Sequence, residues 1–168
     1  MNLVKAHPLP ENALLSTYTA SSDHYTDCFI VEVNGQFSLP EFVCAFYTTW
    51  LFRLERVILK WVVNKPSTDE DAIQVATGDI DRFAAWTTEA RTSNQLLMCA
   101  MGNRTRSWFM VEKAEPGRTR LYFGSAVIPE KSSTPENPKL GFAFTLLLGF
   151  HNLYSRALLG TARRKLVQ

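Results

Sequence analysis

The chain has 168 residues, 46% of them hydrophobic and 20% charged, which is enough for one domain with a sizeable core. Its 18 basic and 16 acidic residues leave a net charge of +2, so electrostatics gives no ground for expecting nucleic-acid binding. The three cysteines, Cys28, Cys44 and Cys99, form no CxxC pair, which removes support for a zinc site, and their odd number argues against a disulfide framework and fits a reducing compartment.

The first 23 residues hold Pro8, Pro10 and the polar cluster "STYTASSDH". They read as an irregular arm with room for a short strand or turn, leaving residues 24–168 as one domain. "YTDCFIVEV" reads as a strand, rich in β-branched and aromatic residues and ended by "NGQ". In "SLPEFVCAFYTT", Ser38 and Glu41 have the spacing of a capping box, so a helix starts at Ser38, with Pro40 tolerated in its first turn. "TTWLFRLERVILKWVV" reads as a second helix. At ~100° per residue, Trp50, Leu54, Val57, Ile58 and Trp61 share one face, and Arg53, Arg56 and Lys60 another. Ser67 or Thr68 can cap a short third helix over "DEDAIQVAT".

The period then changes. "RFAAWTTEAR", "QLLMCAM", "TRSWFMVEK" and "TRLYFGSAVIP" are strand-like runs, separated by the turn signals "TSN", "GNR" and "EPG". Connections this short predict an antiparallel meander. After the loop "EKSSTPENP", a final helix is expected from about Pro138 to Arg164. Strands segregated from helices give an α+β class: a curved antiparallel sheet wrapped around a long C-terminal helix. "MNLVKAHPLPENALL" lacks the pattern of a signal peptide, and "LGFAFTLLLGF" is too short to span a bilayer, so the expected location is the cytoplasm with no membrane insertion.

This element order, over roughly residues 24 to 164, resembles the helix-grip fold of the START and Bet v 1-like superfamily, which includes polyketide cyclases and lipid carriers. "FRLER", "FAAWTTEARTSNQLLM", "TRSWFMVE", "RLYFGSAVIP" and "GFHNLYSRALL" look like a bacterial family of unknown function within that superfamily. The resemblance implies a cavity between sheet and terminal helix. It supplies no catalytic residues, and the five strands read here are fewer than the full grip usually has.

On the terminal helix, Leu140, Phe144, Leu147, His151 and Leu158 fall together, flanked by Tyr154 and Ser155. Thr145, Gly149, Asn152, Arg156 and Arg163 form a polar strip on the other side. His151 thus belongs to the sheet-facing set, where a neutral imidazole needs a partner and serves either as a core histidine or as a polar anchor or acid–base group. Glu55 borders the apolar face of the second helix, a base if half-buried and otherwise an ion-pair partner of the arginines in "FRLER". Arg106 and Trp108 share one face of their strand. Arg106 can grip a ligand carboxylate or pair with Glu89 across strands. Trp86, Trp108 and Tyr122 can line an aromatic cavity or pack a core. Gly124, inside a strand, marks a bulge, a close approach or a bend.

No HExxH, GxSxG, GxGxxG or GK[ST] pattern occurs, so neither metal nor cofactor is expected. The leading expectation is binding of a small, largely apolar molecule, with His151, Tyr154, Phe144, Leu147, Trp108, Arg106, Trp86 and Tyr122 as its contacts. The alternatives are a cyclase, dehydratase or isomerase using His151 or Glu55, and an interaction protein with a filled core. A homodimer is compatible with each.

Overall fold

The computed structural model describes residues 3–54, 56, 67–100, 103–128 and 138–168, with side chains from residue 152 onward in the last segment. Its elements are β1 (Lys5–Ala6), a 3-10 turn (Leu14–Tyr18), β2 (Tyr25–Asn34), α1 (Leu39–Tyr47), α2 (from residue 50), α3 (Asp69–Thr77), β3 (Arg82–Phe83), β4 (Trp86–Arg91), β5 (Gln95–Ala100), β6 (Thr105–Lys113), β7 (Arg118–Val127) and α4 (Pro138–Leu166). The class is α+β. One seven-stranded antiparallel sheet has the order β1-β2-β7-β6-β5-β4-β3. The meander of hairpins runs as expected, and β2 closes against its last strand over the full register Tyr25↔Val127 to Asn34↔Arg118.

Two strands exceed the five read from sequence. β1 is the short strand for which the N-terminal arm had room, and it pairs through Lys5↔Ile30 and Ala6↔Phe29. β3 arises because "RFAAWTTEAR" folds back on itself, pairing Phe83 with Trp86. Ala84 takes φ 51° in that turn. Such turns normally carry Gly or Asn, so the sequence holds no signal for it.

The helix starts follow the capping logic. Ser38 and Glu41 form a complete capping box on α1, and Thr68, rather than Ser67, forms one with Asp71 on α3. Thr49 caps α2 by accepting from the Phe52 backbone N–H at 3.2 Å. Gly78 ends α3 at φ 93°, a left-handed position that glycine takes without penalty.

The sheet is covered on both faces. Its inner face, with Phe29, Val31, Leu96, Met98, Phe109, Leu121 and Phe123, packs against α1, α3 and the C-terminal part of α4. Its outer face, with Cys28, Leu97, Trp108, Met110, Tyr122 and Ala126, packs under the arm through Ala13 and Leu15. The arm is therefore a structural layer, with Leu15 fully buried.

Candidate functional site

The site expected from sequence lies between the inner face and α4. Beneath α1 this space is filled by interlocking rings. Phe46 lies 4.7 Å from Phe123 and 4.9 Å from Phe109, and Tyr47 lies 4.7 Å from Phe83 and 4.8 Å from Phe52. Such tilted and edge-on contacts add to burial rather than leave room for a guest. Trp86, half-buried, joins this cluster 5.4 Å from Phe52. On α4, Ser155, Leu158, Leu159 and Ala162 form the buried stripe, in helical spacing, and Tyr154 is partly buried against the same core.

Towards the first residues of β2 the inner face becomes polar. Asp27 Oδ1 accepts from the Ser125 backbone N–H at 2.9 Å and from its hydroxyl at 2.6 Å. Ser125 is 2% exposed. Two residues away on the same face, the Tyr25 hydroxyl donates to Asn152 Oδ1 of α4 at 2.8 Å. Arg156, one turn on, lies 5.1 Å over the Phe29 ring. Asn152, half-buried, and Arg156, exposed as the polar strip expects, border an open cleft of about 320 Å³ shared with Tyr25, Asp27 and His7. Burial raises the Tyr25 hydroxyl above its ordinary pKa. Burial, assisted by the Asp27 charge, pushes the neighbouring Cys28 thiol up to about 12. Both stay protonated at neutral pH, so this end offers hydrogen bonds rather than a nucleophile. Among the described residues no cluster of His, Cys, Asp or Glu could hold a metal.

Three expected ligand contacts sit elsewhere. Trp108, Arg106 and Tyr122 lie on the outer face, beneath the arm, with the whole sheet between them and α4. Strand alternation decides this: Phe109 and Phe123 point inward, so 106, 108 and 122 must point outward. Arg106 does pair with Glu89, at 2.5 Å, as the cross-strand reading anticipated. The pairing depends on a bulge between Thr88 and Ala90, which turns Glu89 outward and Arg91 inward, where strict alternation would set both on one face. Tyr18 of the arm completes the group: its hydroxyl donates to Glu89 and accepts from Arg106 Nε at 2.9 Å. Burial, then the bond to Glu89, raises its pKa.

Gln95 was not singled out in the sequence. It is 5% exposed, and its Oε1 accepts from Trp108 Nε1 and from the Leu14 backbone N–H, both at 2.9 Å. Its Nε2 donates to the Asn12 carbonyl at 3.0 Å. One buried amide thus pins the arm to the sheet. A lone glutamine opening the apolar run "QLLMCA" was the available signal. Gly124 serves the same contact. A Cβ there would stand 2.8 Å from the Asp27 backbone oxygen and 3.0 Å from both Leu15 and Trp108, so close approach, not a bend, explains the glycine.

Glu55 and the side chains of Phe144, Leu147 and His151 lie outside the described residues. The arginines expected near Glu55 are both bonded to Asp69 of α3.

No family model matches the chain, and no curated protein does. A solved structure, a conserved protein of unknown function (EF2215) from Enterococcus faecalis, is similar over 92% of this chain and 80% of its own, with 12% identity and a TM-score of 0.39.

Proposed function

We propose that the protein is a helix-grip domain of the START and Bet v 1-like kind that holds a small, largely apolar molecule with one polar end between the inner face and α4. One observation carries this reading: the inner wall is apolar along its length and ends in the Asp27–Ser125 group, with Tyr25 bridging to α4. An apolar wall with a few converging polar groups at one end is the usual make-up of a small-molecule site. The ring cluster fills the α1 end, so the ligand belongs at the other. His151 would meet the ligand's polar end from the helix side, with Tyr154 beside it.

An enzyme of the cyclase, dehydratase or isomerase kind is the second reading, favoured by a fixed carboxylate, Asp27, on that same face. Native mass spectrometry of the freshly purified protein tests the primary reading. The expected result is a co-purified molecule lost on denaturation. A bare mass, together with failure to take up an apolar fluorescent probe, would refute it and leave a filled interior.

A further inference from the structure

The rotation of α2 is set by two inward residues. Phe52 is 2% exposed within the ring cluster, and half-buried Arg56 donates to Asp69 at 2.6 Å and to the Ser67 carbonyl at 2.9 Å. These lie one turn apart and turn the opposite row outward. Trp50 is therefore 68% exposed and Leu54 53% exposed, although they head the apolar face of the helix. The C-terminal end of α4 runs beside them. Among the described residues the groove between is lined by Trp50, Arg53, Arg164 and Lys165, with threonines and Gln168, and Arg53 is also paired with Asp69 of α3. Lys165 is held in place there, donating to the Thr48 carbonyl at 2.9 Å and to its hydroxyl at 2.6 Å.

We propose that this surface docks the protein on an anionic lipid bilayer. An exposed tryptophan and leucine beside Arg164 and Lys165 combine the two terms of interfacial binding: apolar insertion at headgroup depth and attraction to anionic lipid. The charge pattern chooses this occupant over the others. A second copy meeting the same patch about a two-fold axis would set Arg164 and Lys165 against themselves. A single-stranded nucleic acid needs cations strung along its backbone, not one cluster around an apolar knob. The inference stands apart from any ligand inside the domain, because every residue it uses lies at the start of α2 or the end of α4.

The test is co-sedimentation of the full chain with vesicles of phosphatidylcholine alone or mixed with phosphatidylglycerol. Binding to the mixed vesicles only, weakened by salt, is expected. Trp50→Ser should reduce partition roughly tenfold or more by removing the inserted ring. Arg164→Gln should reduce it about fivefold, as loss of one cation at a charged surface requires. Both residues are exposed, and unchanged thermal melts verify that the variants fold. Three results would overturn the proposal: no preference for the anionic vesicles, partition indifferent to Trp50→Ser, or a wild-type dimer or oligonucleotide complex that Trp50→Ser abolishes while vesicles are ignored.

Discussion

Replacing Gln95 by leucine keeps the bulk of the side chain and removes all three of its hydrogen bonds. The consequences differ by partner. The Asn12 carbonyl belongs to an exposed residue and can turn to water. The Trp108 indole N–H cannot, because Trp108 is fully buried. An orphaned buried donor costs about 1–3 kcal/mol, and the half-buried Leu14 N–H adds part of a second penalty, so a loss of about 2–4 kcal/mol is expected. For a domain of this size that corresponds to a fall in Tm of roughly 5–15 °C. Calorimetry gives the total. A double-mutant cycle with Trp108→Phe isolates the cause, since phenylalanine has no N–H to orphan. The double variant should lose less than the sum of the single losses. Hydrogen exchange at Leu14 should also quicken as the arm loosens. An unchanged Tm in Gln95→Leu, or strict additivity in the cycle, would refute the idea that this amide fastens the arm.

Gly124→Ala should cost about 1–3 kcal/mol by overpacking against Leu15 and Trp108, and chemical denaturation measures it. Ala84→Gly should stabilise by about 0.5–1 kcal/mol, because the left-handed turn residue no longer carries a Cβ; the same assay would show a loss if that turn were not left-handed. Cys28 should resist alkylation at neutral pH until the protein unfolds, whereas half-buried Cys44 and Cys99 react first, and denatured protein under non-reducing conditions should release three thiols. The Ser38 hydrogen bonds hold the Glu41 carboxyl below the ordinary range. Its contribution to stability is thus full above the unfolded carboxylate pKa and fades as pH falls through the lower folded value; Glu41→Gln should flatten that part of the stability–pH curve. His151→Phe should leave the melt unchanged while weakening uptake of the co-purified molecule; a destabilised variant would make His151 a core residue.

The fold was legible wherever local chemistry is self-sufficient. The two capping boxes need only residues three apart, and the meander needs only short turns with the right residues. β3 was hidden because its turn uses alanine, and the arm's role because its partners, Gln95 and Trp108, are about eighty or more positions away in sequence. The site was harder to read for one reason. Period two says which residues of a strand share a face, but not which face is inner. Arg106 and Trp108 do share a face, but which face could not be read, and both lie with Tyr122 on the outer one. The Glu89 bulge shifted the parity once more, as an inserted residue must. On α4, Leu158 of the expected apolar row is buried, while the side chains of its other members lie outside the described residues.

The closure of β2 on β7 has a consequence for synthesis. Strand β2 emerges from the ribosome early, yet among the described residues its only long pairing partner begins at Arg118. At about 5–20 residues per second, the first strand waits roughly 5 to 20 s for it. During that interval Phe29, Val31 and Val33 have no sheet to join, while the hairpins from β4 onward can zip up as they appear. The strand that ends up deep in the core is the one that spends longest bare, and a nascent-chain binding factor would find its target in "CFIVEV" rather than in the aromatic second half.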